Sequence, residues 1–245
     1  MEQYYNIAGL TVTFESFGRT LEQAEPYRCE PCEKVDIALD AQEINRRREL
    51  LRQRNPDWPE DLLEYITTGM YFYQQLLNHG GMRLHSSAVV VDGRAYLFTA
   101  ESGTGKSTHT GLWLQQFGQR AYILNDDKPA IRLKDGVWYA YGTPWSGKHD
   151  ISRNVEVPLA GIAVVERGLT NEIEPFGGIE AIGALMKQMN RPKKAEYRVK
   201  LMQLMNQLMA EVPIWKLRCN MDPQAAIVSY EAMSGRTINE KENGQ

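Results

Sequence analysis

Cysteine is scarce, with three residues in a chain of 245, and that excludes a disulfide framework. Cys29 and Cys32 form a C-x-x-C pair, but neither a second pair nor paired histidines follow to complete a zinc tetrahedron. The βαβ surroundings of a thioredoxin-like redox pair are also missing, so the two read as ordinary loop thiols. Long apolar runs are absent: none approaches the roughly 18 residues that cross a bilayer, so no membrane partner is expected. Residues Met1 to Asn6 lack the basic and apolar regions of a secretory leader, and the expected compartment is the cytoplasm. Excess charge is lacking too. A net charge of −3 gives no electrostatic case for a nucleic-acid or lipid surface. What remains is ordinary globular composition, 42% hydrophobic and 24% charged, at a length that suits one large domain with or without a small extension.

The stretch that organises the chain is 95–108. Apolar residues Ala95 to Thr99 read as a buried strand, followed by the glycine loop Ser102-Gly-Thr-Gly-Lys-Ser-Thr108 and a helix from about Lys106 to Phe117. Strand, glycine loop and helix in that order make a phosphate-binding loop. Gly103 and Gly105 allow a sharp turn in which successive N–H groups converge, and the helix adds its positive N-terminal end. Ser102, Gly103, Thr104, Gly105, Lys106, Ser107 and Thr108 are thus expected to hold nucleotide, Lys106 on the β- and γ-phosphates and the Ser107 hydroxyl on Mg²⁺. The strict pattern has a glycine where this chain has Ala100.

Around this stretch the chain divides at about residue 80. Residues 1–80 read as an extension of short strands (4–8, 10–14 and 35–39) and a helix from Glu60 to Leu77. The arginine-rich run 46–54 could dock phosphates or an acidic partner, but its interspersed glutamates favour a solvated helical face. Residues 81–240 read as the nucleotide-binding core. Asp92-Gly93 and Asp135-Gly136 each sit between apolar runs and predict hairpins, so the sheet should be mixed rather than purely parallel. Strand 121–124 runs into Asn125-Asp-Asp-Lys128. One aspartate there can hold the metal and the other can accept a proton from an attacking hydroxyl. Strands at 158–166 and 212–217 and helices at 179–189, 197–212 and after Asp222 complete the pattern, with a polar tail to Gln245.

A histidine-bearing strand, a hairpin, Ser-Gly-Thr-Gly-Lys-Ser, a helix and a strand ending in Asp-Asp together resemble the catalytic domain of HPr kinase/phosphorylase over about residues 83–140. More distantly they are similar to the phosphate-binding region of phosphoenolpyruvate carboxykinase. The resemblance implies an α/β (α+β) fold, a mixed-sheet P-loop core flanked by helices, which uses ATP and Mg²⁺ and is plausible as a homo-oligomer. It carries Lys106 and Ser107 over directly, makes Asp126 and Asp127 metal ligand and general base in an order left open, and puts His85 near the transferring phosphate. A structural role for His85 stays open. Thr108-His109 stand where that family has an acidic residue, and its loop for the HPr protein is not recognisable. The segment Tyr141 to Asp150 should leave the sheet beside the acidic pair and bind the acceptor. Trp145 could stack on substrate or pack in the core, and Lys148 and Arg153 could neutralise its charge. The expected function is transfer of the γ-phosphate of ATP to a hydroxyl of a small molecule or a protein serine. The alternatives are an ATP-binding regulatory module without an acceptor and, less favoured, a carboxykinase-like activity.

Overall fold

The computed structural model describes residues 3–238. Strands β1 (Tyr4–Ile7) and β2 (Leu10–Thr13) pair antiparallel, and the two-residue β3 (Ile37–Ala38) adds parallel to β2. The turn at Ala8-Gly9 closes because both residues take positive φ, 55° and 68°, the geometry that matches the twist of paired strands. Between β2 and β3 the sequence suggested only strands and polar connections, yet α1 (Gly18–Ala24) forms there. It buries only Thr20 and Ala24, so it lacks the apolar stripe that a periodicity reading looks for.

Helix α2 (Ala41–Arg54) is capped by Asp40, whose carboxylate accepts from the Glu43 backbone N–H at 2.7 Å. Most of its arginines are paired: Arg46 and Arg47 with Glu43, Arg48 with Glu60, Arg52 with Glu49 and Glu60. Helix α3 (Glu60–Leu76) turns Tyr65, Phe72 and Leu76 onto Tyr5, Ile7, Val12 and Phe14. Ala130, Tyr141 and Trp145 complete this same core. The division expected near residue 80 therefore runs through a packed interface. Its expected far end at residue 240 and the polar tail lie outside the described residues.

Glu64 sits inside this region at 1% exposure. The Thr20 hydroxyl donates to one of its oxygens, and the other has no partner. Burial, only partly offset by Thr20, Arg48 and the Phe17 backbone, pushes its pKa up to about 7. A carboxyl raised on folding binds more protons folded than unfolded, so its contribution is most favourable below its ordinary 4.5 and is lost as pH rises towards 7. Between pH 5 and pH 8 the native chain should lose up to about 3 kcal/mol relative to Glu64→Gln. Urea midpoints check this: any constant cost of the amide cancels in the difference, and parallel pH profiles would refute it.

The main sheet contains β4 (Gly81–Arg83), β5 (Ser86–Val91), β6 (Arg94–Thr99), β7 (Ala121–Asp126), β8 (Ala130–Lys134), β9 (Val137–Tyr141), β10 (Glu156–Arg167), β11 (Glu172–Pro175) and β12 (Ile214–Cys219). The order is β4-β8-β9-β10-β6-β5-β7, with β12 along the end of β10 and β11 beyond it. Within this sheet β6–β10 and β10–β12 are parallel and the other pairs antiparallel. Asp92 and Asp135, both at φ 51°, and the glycines after them make the two expected hairpin turns.

Four helices cover the sheet: α4 (Lys106–Phe117), α5 (Gly178–Lys187), α6 (Ala195–Glu211) and α7 (Gln224–Ser234). Strands β5 and β6 are buried on both faces, except at Arg94, and their alternation sorts the core. Ala88, Val90, Ala95 and Leu97 pack with α5 and α6, whereas Val89, Val91, Tyr96 and Phe98 pack with α4 and α7. A near-continuous apolar run is what a strand covered on both faces requires. The fold is thus α/β on a mixed sheet, with the glycine-loop strand near its centre. No helix among the described residues is long and apolar enough to cross a membrane.

Candidate phosphate-binding and catalytic site

Between the end of β6 and the start of α4, Gly103 and Gly105 take φ of 80° and 122°. A Cβ on either would meet nothing within 4 Å, so the glycines answer to backbone conformation and the loop stays open to a ligand. Lys106 folds back and donates to the Ala100 carbonyl at 3.0 Å, which uses one of its three protons. Burial lowers its pKa against the opposing fields of Asp127 and Asp126.

Asp126 ends β7 with its two carboxylate oxygens 3.1 and 3.2 Å from the Ser107 hydroxyl, which donates to them. Asp127 follows at φ 92°, a backbone state uncommon outside glycine and often found at functional sites. His85 Nε2 lies 2.8 Å from its Oδ1, and the Lys128 ammonium lies 2.9 Å from its Oδ2. Burial raises the Asp127 carboxyl, but hydrogen bonds and charge from His85 and Lys128 outweigh it and hold the pKa well below the usual carboxylate range. On its other side His85 places Nδ1 3.0 Å from Gln188 Oε1.

Asn125 pins this turn. Fully buried, its amide nitrogen shares its two protons among the carbonyls of Thr143 and Trp145 and the Ser152 hydroxyl, while its carbonyl accepts from the Lys128 N–H. Gly147 donates its N–H to the Asp126 carbonyl at 2.7 Å, and a Cβ there would come within 3.2 Å of Asp127 Cβ. The segment from 141 to 150 therefore does leave the sheet beside the acidic pair.

The donor set fits a nucleoside phosphate that carries a divalent cation. The loop is open, Lys106 is half-buried, and the Ser107 hydroxyl beside the Asp126 carboxylate supplies oxygen donors of the kind a hard divalent cation would take. No group of three or more His, Cys, Asp or Glu able to hold a metal occurs among the described residues. A cleft of about 560 Å³ opens along the loop, walled by residues 100–104, 164–167, Ala184, Lys187 and Gln188.

Of the residues expected at the acceptor, Trp145 is corrected. At 0% exposure it cannot stack on substrate: its ring lies 4.9 Å from Phe72, and its indole N–H donates to Thr68 at 3.2 Å. Arg153 lies over the Tyr122 ring at 4.6 Å, four residues back along β7 from Asp126 and about 13 Å away at the strand rise, so it is not brought to the carboxylates. Lys148 is exposed on the loop.

Four residues at the site escaped the sequence reading. Lys128 had a signal, its place next to Asp127. Gln188 arrives from α5, and Arg167, which donates to the Gly103 carbonyl at 2.8 Å, arrives from β10. Arg83, ending β4, has a buried Nε without a hydrogen-bond partner and feels the fields of Tyr73 and Asp127. None of these three follows a motif.

No curated protein sequence matches the chain. Among solved structures, the Hpr(Ser) kinase/phosphatase from Coxiella burnetii aligns over 66% of this chain and 99% of its own, with 12% identity and a TM-score of 0.36. A family model described as SynChlorMet cassette protein ScmC matches residues 51–224, a span that contains every residue of the site described above. The chain belongs to the ScmC family.

Proposed function

We propose that the protein is an ATP-dependent phosphotransferase that moves the γ-phosphoryl group to a hydroxyl acceptor. The observation that carries this reading is Asp127, kept ionised by His85 and Lys128, beside a glycine loop whose Ser107 touches Asp126. In the proposed step the acceptor oxygen bonds to the γ-phosphorus, the bond to the β–γ bridging oxygen breaks and ADP leaves, while Asp127 takes the acceptor proton. Lys106 neutralises charge on the phosphates, and Ser107 and Asp126 hold Mg²⁺, which when bound supplies further neutralisation. Such chemistry asks mostly for positioning and charge. Asp127 can therefore serve by orienting the acceptor hydroxyl and taking its proton, even though its depressed pKa makes it a weaker base than one poised near neutrality. The motif resemblance of residues 83–140 to HPr kinase agrees with it.

The test is incubation with Mg²⁺ and γ-labelled ATP in a cell extract, followed by separation of small molecules from proteins, with Lys106→Ala as control. Losing a charged hydrogen bond to phosphate should weaken ATP binding by about 10- to 100-fold and abolish labelling. Label in one small-molecule fraction or one protein band names the acceptor. ATP binding without any Lys106-dependent label would replace this reading with a nucleotide-dependent binding module.

A further inference from the structure

The two basic stretches of the sequence, 46–54 and 191–194, border the same cavity of about 630 Å³, set between α2, α3 and the α5–α6 connection. Its lining carries one carboxylate, Glu43, already engaged by Arg46 and Arg47. Arg54, Arg191, Lys193 and Lys194 line it with no ion-pair partner among the described residues. Between the cations lie Leu50 and Met70, 46% and 55% exposed, aliphatic side chains open to water in a polar rim. Thr67, 2% exposed, also borders the cavity, and its hydroxyl has no partner.

We propose that this groove docks an acidic polypeptide segment with apolar side chains among its carboxylates. The lining arginines of α2 run from Arg46 to Arg54, about 12 Å at the helical rise. That exceeds the reach of one carboxylate or phosphate, so the complementary charge must be spread along an extended ligand. The exposed aliphatic floor asks for apolar side chains, which a polynucleotide does not offer. A cleft between helix faces is a common seat for an amphipathic segment.

The groove is also tied by contacts to the catalytic turn. Tyr73 lines it and donates its hydroxyl to the Lys128 carbonyl at 2.5 Å. The connection that supplies Arg191 to Lys194 begins at Gln188, the partner of His85. If the phosphotransfer reading holds, on which this last step rests, the docked segment belongs to the acceptor and delivers a neighbouring hydroxyl to Asp127.

A fluorescein-labelled peptide of alternating acidic and Leu/Phe residues, its Asn/Gln analogue and inorganic triphosphate are the probes, followed by anisotropy at low and high salt. The acidic peptide should bind the native protein and Lys106→Ala alike, more weakly at high salt, and the amide analogue should not bind. Arg191→Glu/Lys193→Glu/Lys194→Glu and, separately, Met70→Glu should each weaken it at least about tenfold with unchanged melting temperature. Undiminished binding to both variants, or no binding at low salt, overturns the proposal. So does triphosphate binding to Lys106→Ala with the same dependence on 191–194, which would mark a small-anion site. Peptide binding as expected with no phosphoryl transfer to any acceptor would leave the docking groove standing and remove the phosphotransfer reading alone.

Discussion

Asp127→Asn should lower phosphoryl transfer by about 10²- to 10⁴-fold, the range lost with a general base, while ATP affinity stays close to native. Asparagine is a sparing replacement here because it tolerates the φ of 92° and keeps an oxygen facing His85. What it loses is the capacity to take a proton and the ion pair with Lys128. Because the carboxyl is depressed in the fold, that ion pair stabilises above pH ~4 and its benefit disappears as pH falls below. The variant's melting temperature should accordingly drop at neutral pH and converge on the native value in acid. Single-turnover transfer rates with ATP affinities separate the roles. Asp126→Asn should weaken Mg²⁺-dependent nucleotide binding through loss of the carboxylate charge, although its remaining carbonyl oxygen can still accept from Ser107. If instead Asp126→Asn spares binding and removes transfer, the two aspartates exchange roles.

Trp145→Ala should cost about 3–5 kcal/mol of stability, the usual toll for emptying a buried tryptophan site. The indole is enclosed by Phe72, Tyr73 and Phe14 at centroid distances of 4.9, 5.8 and 6.0 Å. Its fit extends to the helix backbone: a Cβ on Gly69 would stand 2.7 Å from Trp145 Cδ1. Gly69→Ala should therefore destabilise too, although alanine favours a helix by about 1 kcal/mol over glycine. Combining it with a smaller ring at 145 should cost less than the sum. Denaturant midpoints of the single and double variants decide this, and a stabilising Gly69→Ala would show that the indole does not occupy that surface. The Trp145 backbone carbonyl, which accepts from Asn125, stays in the variant, so transfer activity should fall only as far as the emptied core lets that turn shift.

How legible was this site in the sequence? The loop was, down to the ends of α4, because glycines in strained backbone and a lysine at a helix start leave a local signature. The hairpins were legible at Asp92-Gly93 and Asp135-Gly136 for the same reason. Helix α1 was not, since its buried side chains are a threonine and an alanine. Trp145 could not be decided from its neighbours: its partners Phe14 and Phe72 lie far back in the chain. Gln188 and Arg167 reach the loop through tertiary packing alone. The basic stretches on either side of the cavity each look solvated by themselves, and only the fold brings them together.

The shared core of the small sheet has a consequence for how the protein is made. Residues of β1, β2 and α3 leave the ribosome well before Tyr141 and Trp145, and although they pack on one another, their common core is completed only by those later side chains. Arg19 waits longer still, for the Gly147 carbonyl at 2.8 Å and for Asp150. Contacts of such wide sequence separation form slowly, because the intervening chain must first be ordered. The segment translated early is thus among the last to settle. During synthesis it carries exposed aromatic surface, the condition under which nascent chains rely on chaperones.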